Sequence, residues 1–256
     1  MSFVFAHPKM AGLTPGDVAW FTAQRRLIRS KPMVQQCYDL WYSLLRSDVA
    51  SVSGQGKLVE LGSGAGYIKE FLPEAITSDV TPGFSDMVID GRELPFAKNE
   101  LRAILLTHCF HHIPDIRAFF REASRTLIPG GVISMVECAH TPLSRLFFGK
   151  IHPEPYLPDS KDWEFSAGSN LFDSNQALSW IVFVRDKAKF ESEFPEFIVE
   201  SKSYLPWFGY LLSGGVNLRS LVPGWGIGLV RFLDEISRML DPFGAIHWHI
   251  TLRKRS

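Results

Sequence analysis

An α/β fold built on a doubly wound, mostly parallel sheet is what this 256-residue sequence predicts, and three observations carry the prediction. From Lys57 onward short apolar runs alternate with helix-period segments, the pattern that lays helices on both faces of a parallel sheet. The first of those runs leads straight into a glycine-rich turn, Gly62-Ser63-Gly64-Ala65-Gly66. Hydrophobic residues make up 46% and charged residues 21% of the chain, a balance that supports one substantial core and argues against disorder.

Taken in order, Thr14, Pro15 and Asp17 read as a helix start: a cap, a proline in the first turn and an acid beside the dipole. A helix is expected to about Ser30. A second runs from Pro32 to Arg46, with Val34, Tyr38, Trp41 and Leu45 on one face. The small-residue run 50–56 reads as a linker, so an N-terminal helical cap (1–50) is expected ahead of a main domain (51–256). Strands are predicted at 57–61, 75–80, 87–89, 102–107, 132–137, 196–204 and 245–253, a seven-stranded sheet whose final strand is antiparallel. Helices are predicted at 65–72, 114–127, 175–186 and 226–240. In the last, Leu229, Phe232, Leu233, Ile236 and Leu240 share one side, opposite Arg231, Asp234, Glu235 and Arg238. Aromatic-rich insertions at about 139–195 and 205–240 are expected to act as substrate lids.

Zero formal net charge removes any global attraction to nucleic acid. Residues 1–46 carry six basic against two acidic side chains, and residues 57–101 four against eight. An acidic region suits a cationic cofactor, a basic start an anionic partner. The three cysteines are far apart, so neither a disulfide framework nor a zinc ribbon is expected. The first ten residues lack a signal-peptide pattern, and the uncharged stretch between Lys202 and Arg219 spans 16 residues, short of the ~18–20 a bilayer span needs. A cytoplasmic protein is therefore expected, with peripheral contact at the inner face of a membrane as an added expectation: Arg25, Arg26, Arg29 and Lys31 would meet anionic lipid, and Tyr204–Leu212 the interface. The oligomeric state is left open.

The glycine turn decides the ligand class. A dinucleotide fingerprint needs glycine where Tyr67 stands, or, counted from Gly64, where Lys69 stands. A phosphate-binding P-loop needs a Gly-Lys-Ser/Thr that does not follow. What stands is Glu60-x-Gly62-x-Gly64-x-Gly66. Further along come an acid at the end of the second strand (Asp79), the segment Asp90-Gly91-Arg-Glu-Leu94-Pro95-Phe96, the run Leu105-Leu-Thr-His-Cys-Phe-His-His112 and the turn Leu127-Ile-Pro-Gly-Gly-Val132. In that order these motifs resemble those of the class I S-adenosylmethionine-dependent methyltransferases, of the type-11 kind, over roughly residues 57–138. The resemblance implies a Rossmann-like sheet and S-adenosyl-L-methionine as cofactor. It implies contacts from Glu60, Gly62, Ser63, Gly64, Gly66, Asp79, Asp90, Gly91, Thr107 and His108, with Asp79 on the ribose and Asp90 on the adenine amino group.

The acceptor lies outside those motifs. A small or lipid- or glycan-linked molecule, methylated at oxygen, is expected. An oxygen nucleophile must lose its proton, and imidazoles beyond the fourth and fifth strands are placed to take it: His111, then His112 and His140. Similarity to ubiquinone-biosynthesis O-methyltransferases, whose loop here reads Glu-x-x-Glu-His and is associated with a divalent metal, extends only to His112, so no metal is expected. The alternatives are a non-catalytic module binding S-adenosylmethionine or a partner protein, and a nicotinamide oxidoreductase; the latter lacks its third glycine.

Overall fold

The computed structural model describes residues 7–166 and 173–256; the first six residues, and 167–172 of the expected first lid, lie outside the described residues. The strands are β1 (Lys57–Leu61), β2 (Ile76–Asp79), β3 (Met87–Val88), β4 (Leu101–Thr107), β5 (Leu127–Cys138), β6 (Phe197–Tyr204) and β7 (His247–Lys254). They form one seven-stranded sheet in the order β3-β2-β1-β4-β5-β7-β6. Neighbours from β3 to β5 are parallel, and β7 runs antiparallel between β5 and β6. This is the predicted doubly wound sheet with its antiparallel final strand. β4 is almost wholly apolar and buried, as a central parallel strand covered on both faces must be. The order reverses between β1 and β4. Doubly wound sheets place their ligands at such a switch point, beyond the carboxyl ends of the strands.

The helices are α1 (Val18–Ser30), α2 (Pro32–Ala50), α3 (Ile116–Thr126), α4 (Pro142–Lys150), α5 (Leu178–Trp180), α6 (Lys187–Glu193), α7 (Phe208–Ser213), α8 (Ile227–Ser237) and α9 (Asp241–Gly244). One face of the sheet packs against α3, whose Ile116, Phe119, Phe120 and Ala123 join Phe110, Phe183, Phe190 and Phe197 in a phenylalanine-rich core. Asp115 caps α3, accepting from the Ala118 amide at 2.9 Å. The other face packs against α2 through Tyr42, Leu45 and Val49 on Leu58, Ala103, Leu105 and Val132. Asp48 fastens α2 further, accepting from Ser134 Oγ (2.5 Å) and Thr251 Oγ1 (2.8 Å) and facing His249 Nε2 at 2.8 Å. The helical leader and the sheet thus share one hydrophobic core.

Several elements differ from their prediction. The helix expected at 65–72 is a turn followed by a 3₁₀ segment, Ile68–Glu70; Ile68 and Leu72 pack into the core that α2 already covers. The helix expected at 175–186 reduces to α5 and a π-turn, Ile181–Arg185. β5 starts five residues early and runs through Pro129–Gly131. The capping box of Thr141 and Ser144 starts α4, which the sequence reading left as an irregular stretch. The helix expected over 226–240 ends at Ser237, and most of its large apolar side chains do not face the core: Val230 and Ser237 are its buried residues. Asp234 accepts from the Phe208 and Gly209 amides at 2.8 and 3.1 Å and Arg231 donates to Gln36, while Arg231, Glu235 and Arg238 stay exposed. Leu229, Phe232, Ile236 and Leu240 are exposed.

The expected membrane-facing elements are also rearranged. Lys31 is buried, its ammonium donating to the carbonyls of Gly215 and Leu218. Arg29 pairs with Glu70 and lies over the Tyr67 ring, and Arg25 donates to the Ala65 and Gly64 carbonyls. Within Tyr204–Leu212, Leu205 packs on Trp41 and Val136, while Trp207, Tyr210 and Leu211 pack on Cys138, Phe148 and Ile246. No described helix is long and apolar enough to cross a membrane.

Candidate functional site

β1 delivers its last residues to the switch point, and the turn after it depends on glycine at two positions. Gly62 (φ +63°) and Gly64 (φ +45°) adopt left-handed backbone that a side chain would strain. A Cβ at Gly62 would also run into the Cys109 sulfur. The Gly64 amide donates to Asp79 Oδ2 at 3.2 Å and the Thr81 amide to Asp79 Oδ1 at 3.0 Å, so the acid at the tip of β2 already grips the turn. Burial raises the Asp79 carboxyl above its ordinary value, the two amides partly offsetting this. Phe21 of α1 and Phe84 pack together over Gly64 (centroids 4.4 Å), closing this edge.

Glu60 lies beneath the turn, 1% exposed, and neither carboxylate oxygen has a hydrogen-bond partner. Burial pushes its carboxyl up to about 8. Thr107 Oγ1, His108 Nε2 and His247 Nδ1 are likewise buried without partners. Buried polar atoms are normally satisfied, so these four orphans, from the ends of β1, β4 and β7, mark a place built for a polar ligand.

The remaining cofactor candidates divide. Ser63 Oγ accepts from the Ser78 amide and donates to the Glu60 carbonyl, Gly66 leaves room for the Tyr42 hydroxyl, and Gly91 packs on Ile113, Leu61 and Phe119. All three shape the scaffold in this structure. Asp90 is more exposed and holds Arg92 with both oxygens (2.6–3.1 Å); that bonding keeps its carboxyl below the ordinary range.

Beyond β4 the backbone is strained. His108 is a non-glycine residue at φ +54°, a conformation retained where surrounding structure enforces it and common at functional sites. Its ring sits among Trp41 (4.9 Å), His247 (4.5 Å) and His111 (6.5 Å). Burial pushes it down to about 4, leaving a neutral imidazole. His111 is different: Nδ1 lies 2.6 Å from the fully buried Glu137 and Nε2 3.4 Å from Glu154. Burial alone would lower it, but these two carboxylates raise it well above the ordinary value. Both ring nitrogens of His111 thus face carboxylates, an arrangement that favours the protonated ring over the expected acceptor. His112, half-buried, faces Glu154 at 3.6 Å and is lowered to about 4 by burial and by the His111 charge. His140 stacks on Trp180 (3.8 Å) and bonds the Tyr156 hydroxyl at 2.5 Å, engaged in packing the segment after β5.

Sequence reading missed Glu137, Glu154 and His247. Glu137 had a signal, an acid within the apolar run of β5; Glu154 and His247 had none. An open groove of about 650 Å³ on the outer side of the turn, lined in part by Arg25, Arg29, Lys69 and Asp86, is less suited to chemistry. Two of its cations are already paired, Arg29 with Glu70 and Lys69 with Asp86.

Comparison with known proteins adds a family likeness over the sheet's first five strands. Residues 59–135 match the family model of the methyltransferase domain, the stretch from β1 through most of β5. Two curated relatives are demethylmenaquinone methyltransferases. The one from Corynebacterium urealyticum is 29% identical over 111 residues, 38% of this chain and 48% of the relative. The one from Corynebacterium glutamicum is 36% identical over 70 residues, 27% and 30% respectively. The chain thus spans 30–48% of the length of the curated relatives it matches. Among solved structures, geranyl diphosphate C-methyltransferase from Streptomyces coelicolor, in complex with Mg2+, geranyl-S-thiolodiphosphate and S-adenosyl-L-homocysteine, aligns with a TM-score of 0.52 at 14% identity. The alignment covers 98% of this chain and 87% of that one. At that identity the likeness shows the fold alone: a Rossmann-like, mostly parallel sheet.

Proposed function

We propose that this chain, a class I methyltransferase fold carrying a methyltransferase-domain match over residues 59–135, transfers a methyl group from S-adenosyl-L-methionine to a small or lipid- or glycan-linked acceptor at oxygen. The observation that carries the reading is the buried Glu60 carboxylate, unpartnered beneath the glycine turn. A carboxyl in that position is poised for a cationic ligand, and S-adenosylmethionine has both a sulfonium and an amino group. Gly62 and Gly64 let the ligand approach the backbone, Asp79 offers oxygens to the ribose hydroxyls, and Asp90 serves the adenine by exchanging its contact with Arg92. The Phe21–Phe84 pair must part for entry, and on closing would exclude water.

Transfer from the sulfonium is an in-line displacement that needs alignment and dryness more than acid or base. The oxygen acceptor nevertheless gives up a proton. His108 takes it in this reading: neutral, with a free buried Nε2, at the carboxyl end of β4. Trp41, Tyr210 and Phe148 gather around the neighbouring His247 and offer an apolar acceptor a lining. Support for such an acceptor also comes from the relatives named for demethylmenaquinone. Incubation with methyl-labelled S-adenosylmethionine and a panel of phenolic, quinol and glycan-linked acceptors tests the reading. Label should appear in an acceptor with wild-type protein and fall by about two to four decades in His108→Gln. Transfer unaffected by that change would remove His108 from the mechanism.

A second reading concerns access by a lipid acceptor. Leu221, Trp225 (88% exposed), Leu229, Phe232, Ile236, Met239 (89%) and Phe243 make an apolar ridge, with Arg231 and Arg238 exposed among them. This ridge, rather than Tyr204–Leu212, suits a peripheral contact with an anionic membrane surface. Wild-type protein should sediment with anionic vesicles, and a Trp225→Ser/Met239→Ser variant should stay in the supernatant; equal behaviour would dismiss the ridge as the contact.

A further inference from the structure

We propose that His111, His112 and Glu154 form a binding site for a divalent cation of the zinc class, beside the methyl-transfer site and independent of the S-adenosylmethionine reading. The ligating atoms of these side chains all lie within 4.8 Å of one another. Glu154 Oε2 is 3.4 Å from His111 Nε2 and 3.6 Å from His112 Nε2. Bonds of about 2.0–2.1 Å in tetrahedral geometry put neighbouring ligand atoms about 3.3–3.4 Å apart. Glu154 already stands near that spacing from each imidazole.

The surroundings are those of a built site. The other ring nitrogen of His111 meets Glu137 at 2.6 Å, and Glu137 is itself fixed by the Phe110 amide at 2.8 Å. A carboxylate behind a ligating imidazole sets its tautomer and aims its free nitrogen at the metal. Glu154 is steadied by Gln176 Nε2, and Gln176 Oε1 accepts from the Cys138 thiol at 2.8 Å. His112 is half-buried, with its side chain 27% exposed, which gives a cation a route in. Three protein donors leave a fourth position for water or for an oxygen of the acceptor, the arrangement of catalytic rather than structural zinc. The alternative set His111, Glu137 and Cys138 is less able to bind, because Glu137 is committed to His111 and Phe110 and the thiol is held protonated by burial.

Two imidazoles and one carboxylate select zinc, cobalt, nickel or iron over magnesium and calcium. A cation bound to imidazoles and a carboxylate competes with protons for the same atoms, so its binding is expected to depend on pH. The two histidines were legible in sequence but Glu154 was not, because it comes from a segment some 40 residues on, brought to them by the run after α4.

The full-length protein, stripped with a chelator and without S-adenosylmethionine, is titrated with Co2+ while visible absorption and released protons are recorded. The expected result is one equivalent bound, with the intense visible bands of low-coordinate cobalt, displaced by Zn2+ and unaffected by Mg2+. Glu154→Gln and His112→Asn should each abolish the bands, and Glu137→Gln should weaken binding about 10–100-fold. Melting curves confirm that each variant is folded; should Glu154→Gln fail, the half-buried His112→Asn carries the same readout. No cobalt bands in wild type, or bands that survive in His112→Asn, would overturn the site.

Discussion

Replacing Glu60 by Gln tests the claim that a ligand-seeking carboxylate is buried under the glycine turn. In the free protein burial raises Glu60 from an ordinary 4.5 to about 8. Between those values the folded chain keeps a proton that the unfolded chain has released, so stability falls as pH rises through this window. Below it both states are protonated and the effect vanishes; above it both are ionised and the penalty is complete. At pH 7 the penalty is about 3 kcal/mol, taking ~1.4 kcal/mol per pKa unit. Gln carries no such charge. Its buried amide has a cost of its own, but one that does not change with pH. The advantage of Glu60→Gln over wild type should therefore grow from pH 5 to pH 8, by about 5–10 °C in melting temperature between pH 5 and 7 for a chain of this size. Scanning calorimetry or fluorescence melting at half-unit pH steps reads it. A difference between the two proteins that stays constant across pH 5–8 would refute the reasoning. A cationic ligand should also discharge the Glu60 proton, so S-adenosylmethionine binding to wild type near pH 7 should release protons, and binding to Glu60→Gln should release fewer.

Two other outcomes follow from named contacts. Asp79→Ala removes the acceptor at the tip of β2 and should weaken S-adenosylhomocysteine binding by about one to two decades, the equivalent of 1.5–3 kcal/mol, as read by calorimetry on folded protein. Asp115→Ala removes the cap of α3 and should lower stability by about 1 kcal/mol without altering ligand affinity, as read by urea unfolding.

The sheet was legible because its strands are short apolar runs at regular spacing, and a β strand buried on both faces has few other ways to look. The glycine turn was legible from its spacing alone, since Tyr67 and Lys69 exclude the dinucleotide pattern. What escaped were features set by long-range contacts. The segment 65–72 has helix-compatible spacing, yet α2 fills the face it would have covered. The 226–240 helix was read with its apolar side inward, because periodicity marks two faces but not which one the protein uses; Asp234 on the amides of α7 decides that. Lys31 reads as a surface cation and is instead buried on the carbonyls of Gly215 and Leu218, more than 180 residues along the chain. The histidines after β4 were singled out correctly as a group, but their protonation depends on Glu137 and Glu154, which no local pattern ties to them. That is why His111 reads as an acceptor in sequence, while the two carboxylates that face it in the fold favour its protonated form.

The account rests on S-adenosyl-L-methionine occupying the carboxyl edge of β1, β2 and β4. Calorimetric titration of the wild-type protein with S-adenosylhomocysteine tests it most directly, with NAD and Asp79→Ala as the two controls. The account predicts one equivalent of S-adenosylhomocysteine bound, markedly weaker binding in the folded Asp79→Ala protein, and no heat with NAD. Absence of binding by S-adenosylhomocysteine, or equal binding in Asp79→Ala, would contradict it.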